Sequence, residues 1–406
     1  MSFDLFDTLV AARCGGPAGD RLDELFPIAA NVAKVKPQDL IVSDFYVDNL
    51  AGAERALRTV AKLPTELIVT PDGKASGAIW PGLAKRGVFS HLGDNLESDV
   101  KRPREHGISA TWAFDSQFTE RESYLRNSGF RGVSCAMREA RLTEGTSRFP
   151  QLSKLQTQVN FPFLILGAIG VLRAAERYGC KTILMSARDC CLWTPAVWSL
   201  DKQKVVKYFY TSRIARVFPS DSYLKYVNGL LDEPSLFVDL DGTGWSLRRL
   251  IAKTKRPDSP VLLAVRVRNA GQEAGQESLA ASVDCPTEHL AEGYEVALEP
   301  ANYARHPMVK DVDVAVSFTN PTGFDWQCSP EIFHQHKVFG AAMRVLSNYD
   351  LSDDLQVSDE ALKSTMQTIL SWYGPFAGAV DFQAATFQAE HDHVFATLAE
   401  QKRTRT

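Results

Sequence analysis

The sequence predicts an α/β protein with two parallel sheets, and three observations carry that expectation. Short apolar runs rich in β-branched residues recur along the 406 residues, and each is followed by a polar turn and a helical pattern. Several of these runs end in an acid, a serine or an arginine, at the edge where open parallel sheets bind ligands. A polar, strandless stretch punctuated by Gly and Pro, from 116 to 154, parts the runs into two sets. The expected domains are therefore 1–118, a connector at 119–154, and a second doubly wound α/β domain at 155–406 that closes in C-terminal helices.

In chain order, "MSFDLFDTLV" opens with a strand that has only Met-Ser-Phe before Asp4, short against the usual ~5–6 residues. Residues 19–35, "GDRLDELFPIAANVAKV", leave room for one helix and little else, which implies a minimal cap. "DLIVSDFY" is a strand ending at Ser43, and 48–60 reads as a helix with one apolar face. "ELIVTPDGK" leads to a loop carrying Lys74, "GVFSHLGDN" ends at Asp94 with Asp99 close to the next helix start, and "SATWAFD" completes the first set. The second set is "KTILMSARD", "VVKYFYTSR", "SLFVDLDGTG" and "PVLLAVRV", preceded by a helix at 163–178 and followed by helical patterns from 333 and from 385.

Bulk composition narrows the functional classes. With 45 Lys and Arg against 49 Asp and Glu, a net charge of -4 gives no long-range attraction to nucleic acid or anionic membrane. Seven scattered cysteines without a CxxC argue against structural zinc and a disulfide framework. The apolar stretch 161–172 is too short for a bilayer and runs into Arg173, and nothing resembles a signal peptide. A reduced cytoplasmic protein is expected, with no membrane span and a phosphorylated small molecule as its partner.

That last expectation comes from the acids. Asp4 and Asp94 in one crevice suit Mg²⁺, which takes carboxylates, water and phosphate oxygens. Asp4 would attack phosphorus, Ser43 would bind phosphoryl oxygens, and Lys74 would offset the charge of both nucleophile and transferring group. Asp99 is an alternate or supporting ligand. The order "FDLFDTL", strand-Ser, Lys and "GDNLESD" resembles the haloacid dehalogenase (HAD) superfamily. More narrowly, "SFDLFDTL", "SDFY", "GKASG" and "HLGDNLESDV" resemble bacterial predicted HAD hydrolases found with surface-polysaccharide and glycosyltransferase genes. The resemblance implies a HAD-like Rossmannoid sheet and Mg²⁺-dependent phosphohydrolase or phosphotransferase chemistry through an aspartyl-phosphate at Asp4. Such phosphatases usually carry an acid two residues after the nucleophile, where this chain has Phe6, while Asp7 is out of register and reads as a turn anchor.

In the second set, "FVDLDGTGWS" resembles the ribose-phosphate loop of phosphoribosyltransferases, one residue short. The resemblance implies that Asp239 and Asp241 hold ribose hydroxyls while Thr243, Gly244 and Ser246 meet a 5′-phosphate. Arg188 and Arg213, each in a strand-ending turn, are candidates to grip phosphate, with Asp189 orienting one of them; the alternative is buried ion pairs that tie two loops together. Glycosyl or phosphoribosyl transfer, nucleotide binding, or a purely ligand-binding role therefore stand as rivals. The pairs His334/His336 and His391/His393 alternate on helical patterns and would splay apart.

Overall fold

The chain is described here from a computed structural model covering residues 1–13, 24–44, 66–145, 147–267, 285–293 and 298–404. It divides into two compact units, Met1–Arg148 with Val345–Asp350, and Phe149–Arg344 with Leu351–Thr406. The strands of the first unit are β1 (Ser2–Phe3), β2 (Val10–Ala12), β3 (Leu25–Pro27), β4 (Leu40–Asp44), β5 (Glu66–Thr70), β6 (Ser90–Gly93) and β7 (Ser109–Trp112). Five of them form a parallel sheet in the order β5-β4-β1-β6-β7.

Alternation builds both faces of this sheet. Phe3, Ile41 and Leu92 pack together on one side, while Leu40 and Val42 meet Trp80 and Leu83 of the crossover helix Trp80–Lys85 on the other. β1 has only two residues, yet it lies at the centre, flanked by Leu40–Ile41 and His91–Leu92. The chain builds outward from β1 through β4 to β5, then returns to the opposite side of β1 for β6. The order reverses at β1, so the residue after it faces the crevice that such a reversal opens. That residue is Asp4.

The single helix expected at 19–35 is not found in its described part. Leu25–Pro27 pairs antiparallel with Val10–Ala12, and only Ala29–Val32 is helical. The periodicity misleads because Phe26 and Ile28 are buried against Ala11 and Leu142, an arrangement a short ribbon satisfies as well as a helix. The helix expected at 48–60 lies outside the described residues. Between 119 and 148 the chain forms the helices Glu120–Asn127 and Arg131–Thr143, both within the first unit. Thr119 and Glu122 close a reciprocal capping box at the start of the first helix.

In the second unit, β8 (Thr182–Ser186), β9 (Val205–Phe209), β10 (Ser235–Gly242), β11 (Val261–Val267) and β12 (Thr287–Gly293) make another parallel sheet, ordered β12-β11-β10-β8-β9. An antiparallel pair, β13 (Met308–Val312) with β14 (Val316–Thr319), is added to it in sequence. Neither β12 nor this pair was legible as a strand. β12 reads "TEHLAEG" and lies at the sheet edge, where the Gln367 side chain pairs with the Glu292 backbone N–H and C=O at 2.8 and 2.9 Å.

The apolar stretch at 161–172 belongs to a longer helical run than its composition suggested. Pro150–Arg177 continues for 28 residues, and its most apolar 18-residue window, at mean hydropathy 1.5, is long and apolar enough to span a bilayer, but 89% of that window is buried inside the protein. Pro162 does not stop it, because a wide turn at Gln156–Asn160 precedes the proline and absorbs its missing N–H. Helices Pro330–Leu346, Asp359–Ser371 and Ala384–Thr404 follow, as the terminal patterns suggested.

Candidate active site

Lys74 organises the rim of the first sheet. Its Nζ donates to Asp4 Oδ1 at 2.5 Å and to Asp99 Oδ1 at 2.8 Å, and all three residues are 4% exposed or less. Asp94, just past β6, completes a group in which one carboxylate oxygen each from Asp4, Asp94 and Asp99 lie within 4.8 Å of one another. Ser43, near the end of β4, is 1% exposed, and among the described residues its hydroxyl has no hydrogen-bond partner. Four of the five residues singled out here thus meet directly, and the fifth ends the neighbouring strand with unused hydrogen-bonding capacity.

Local folding explains how Lys74 is held. Asp44 accepts from the backbone N–H groups of Lys74 and Ala75, at 3.0 Å each, and from Thr70 Oγ1 at 2.5 Å. One carboxylate therefore pins the turn that follows β5. Asp99 is fixed as firmly: its Oδ2 accepts from Asn95 N–H at 3.1 Å, and its Oδ1 faces His91 Nε2 at 3.3 Å. His91 Nδ1 meets Ser2 Oγ at 2.9 Å, so a buried chain runs Ser2, His91, Asp99, Lys74, Asp4. Gly93 lets Asp99 approach, since a Cβ there would stand 2.4 Å from the Asp99 Cβ.

The charges of the group are unequal. Burial pushes the Asp4 carboxyl well above the usual range, Lys74 opposes that rise, and Asp99 and Asp94 add to it. Asp94 is pushed up to about 6, chiefly by burial, although a hydrogen bond with Asp4 holds it down. For Asp99 burial acts upward too, but the His91 hydrogen bond and Lys74 together bring it down to about 2. Burial keeps His91 below its ordinary value, and the two aspartates raise Lys74 despite its burial. Three carboxylates against one ammonium leave an excess of negative charge, and hard oxygen donors at this spacing suit Mg²⁺.

Phe6 and Asp7 behave differently from their neighbour. Phe6 packs against the cluster around Phe3. Asp7 sits at φ 55 in the left-handed region and its N–H donates to Val10 C=O at 2.6 Å, which makes it the tip of the turn into β2.

The second set of residues gathers at the second sheet. Arg188, Asp189, Arg213, Asp239, Asp241, Thr243, Gly244 and Ser246 all line one cavity of about 400 Å³. The arginines are not equally placed to meet phosphate. Arg188 forms a bidentate pair with Glu390 at 3.0 and 2.5 Å, and its guanidinium lies 4.3 Å from the ring centres of both Tyr303 and Trp326. It is a buried ion pair as the alternative held, but it ties the turn after β8 to helix Ala384–Thr404 rather than to a second loop. Asp239 is likewise taken, by Arg216 Nη1 at 2.6 Å. Gly244 adopts φ 72 in the loop before helix Trp245–Ile251, and Thr243 Oγ1 accepts the Trp245 N–H at 3.4 Å. His334 and His336 do splay apart, toward Ser153 Oγ and the Tyr303 carbonyl.

Sequence reasoning missed Asp44, His91 and Asn95 in the first unit, and Arg216, Glu299, Tyr303 and Glu390 in the second. A polar His91 inside the apolar run "VFSHLG" was the one available signal. Comparison with protein-family models and with curated proteins finds no match for this chain.

Proposed function

We propose that the first unit is a Mg²⁺-dependent phosphohydrolase or phosphotransferase of HAD type, acting on a phosphorylated sugar or nucleotide. The observation that carries this reading is Lys74 bridging Asp4 and Asp99, with Asp94 beside them, where the strand order reverses at β1. Asp4 and Asp94 would hold the ion. Both oxygens of Asp99 are already occupied, so it serves to hold Lys74. When bound, Mg²⁺ supplies charge neutralisation for the carboxylates and the phosphoryl group.

Asp4 is the nucleophile: its oxygen forms a bond to phosphorus as the ester bond breaks, giving an aspartyl-phosphate and releasing the alcohol or phosphate leaving group. Lys74, fixed from behind by Asp99 and Asp44, keeps Asp4 oriented and offsets charge on the transferred group. The unpartnered Ser43 hydroxyl is available to a phosphoryl oxygen. Water or an acceptor hydroxyl then releases the phosphoryl group from Asp4.

The test is turnover of a phosphate-ester panel with and without Mg²⁺, using wild type, Asp4→Asn and Asp239→Asn. Turnover lost with Asp4→Asn and with chelator, but retained with Asp239→Asn, supports the proposal. Turnover retained by Asp4→Asn overturns it.

A further inference from the structure

The cavity of the second unit lies where β8 and β10 are neighbours while the chain leaves them in opposite directions, β8 to β9 on one side and β10 to β11 on the other. A crevice at such a reversal is a common place for a ligand, and about 400 Å³ is within the range of small-molecule sites. Among the described residues, five carboxylates and three guanidiniums line it. Arg188 with Glu390, and Arg216 with Asp239, neutralise each other in close pairs. What is left is Asp189, Asp241 and Glu299 against Arg213.

Those three acids are poorly compensated. No described hydrogen bond or ion pair reaches the Asp189 or Glu299 carboxylate, and one oxygen of Asp241 is buried with no partner. Burial, and the acids acting on one another, push Asp189 and Asp241 well above the carboxylate range and Glu299 to about 8. Tyr303 adds a second, independent sign. It is 0% exposed, its hydroxyl has no partner among the described residues, and the charges that act on it are Glu299, Arg188, Asp189 and Glu390, all lining the cavity. The phenol oxygen and the Asp241 oxygen are both acceptors left without a donor among the described residues, which a ligand's N–H or O–H groups would satisfy.

Among the described residues, the three acids that converge closely enough to share one ion are Asp4, Asp94 and Asp99, and Asp189, Asp241 and Glu299 form no such trio. We infer that this cavity binds a small organic cation, a polar molecule carrying at least one ammonium group. An ammonium favours the ionised carboxylates over the protonated forms that burial imposes and brings several N–H donors, which Asp241 and Glu299 accept. The phosphate that the "DLDGTG" loop suggested meets an excess of acid here, with two of three arginines already occupied. The inference is independent of the chemistry at Asp4, because none of its residues belongs to the first unit.

Titration calorimetry on the full chain tests it, with putrescine, spermidine and glucosamine as cations, glucose as the neutral control, and inorganic phosphate and ribose 5-phosphate as anions. Saturable binding of at least one amine is expected, weakened tenfold or more by Asp241→Asn and by Glu299→Gln, with each variant's circular dichroism and Tm recorded to confirm folding. Binding of glucose or of either phosphate without any amine overturns the inference. So does the absence of all binding, or amine binding that neither folded variant weakens.

Discussion

Phe6 decides what kind of phosphate the candidate nucleophile can use. An acid at that position would protonate a departing alkoxide, and general acid catalysis of this kind is worth about 10²–10⁴-fold. Here the side chain is packed among apolar neighbours, and Asp7, at φ 55, forms the tip of the turn into β2. Substrates whose leaving group needs no proton should therefore be strongly favoured. Acetyl phosphate and p-nitrophenyl phosphate are expected to turn over at least a hundredfold faster than glucose 6-phosphate, read as kcat/KM at fixed Mg²⁺; equal rates would show that another acid serves the leaving group. Lys74 is the other decisive residue. Lys74→Met would leave Asp4 and Asp99 buried without their partner, a loss of about 3–5 kcal/mol for a broken buried pair. Urea unfolding monitored at the first unit should show that loss, while Lys74→Arg should recover part of it. His91 acts through Asp99, so His91→Phe should lower kcat with little change in KM.

At the scale of elements, what the sequence made legible depended on whether burial left a pattern. β4, β8 and β10 are central or nearly so, largely buried, and read as apolar runs, while β6, Ser-His-Leu-Gly, is buried as well but was legible only with the apolar residues before it. The edge strand β12 is half-exposed and polar, and β2 with β3 is a ribbon of three-residue strands, so neither has the run length that distinguishes a strand from a turn. The loop after β5 was legible as a lysine loop. Its anchor, Asp44, was not, because the contact spans 30 residues. Arg188 shows the same limit more severely: alone it looks like a phosphate grip, and its partner Glu390 lies 202 positions away. The junction of β6 with the turn after it offers a direct check. Gly93→Ala would drive a methyl group to 2.4 Å from the Asp99 Cβ, so Asp99 must withdraw from Lys74. We expect the first unit to lose several kcal/mol, by the measure of overpacked sites, and Mg²⁺-dependent turnover to disappear with it. Gly87→Ala, at another turn with φ 82 but only ring atoms at 4.0 Å, should cost less and leave turnover intact.

For the molecule as a whole, the acids at the first rim set stability against function. Asp94 is raised in the folded chain to about 6 from the usual 3.8, so the fold favours its protonated form. The sign follows directly: an acid whose folded pKa is raised costs no stability below about pH 4, and it destabilises progressively as pH rises through 6. Asp4 is raised as well and acts in the same direction. Without a divalent cation, Asp94→Asn should therefore melt higher than wild type at pH 7, by a few degrees for a unit of this size, and the difference should vanish near pH 4. Adding Mg²⁺ should reverse the order. On the proposed reading the ion would bind the folded wild type through ionised Asp4 and Asp94, so at a hundred times its Kd it would stabilise the wild type by about 2.7 kcal/mol, and the variant by much less. The same linkage would make Mg²⁺ affinity climb between pH 5 and 7 as protons leave Asp94, with Asp4, also raised, adding to the climb. Differential scanning calorimetry across pH, with and without Mg²⁺, reads all of these shifts in one experiment. A wild type that melts above Asp94→Asn at pH 7 in chelator, or that ignores Mg²⁺, would mean these carboxylates are a structural cluster and that no ion compensates them.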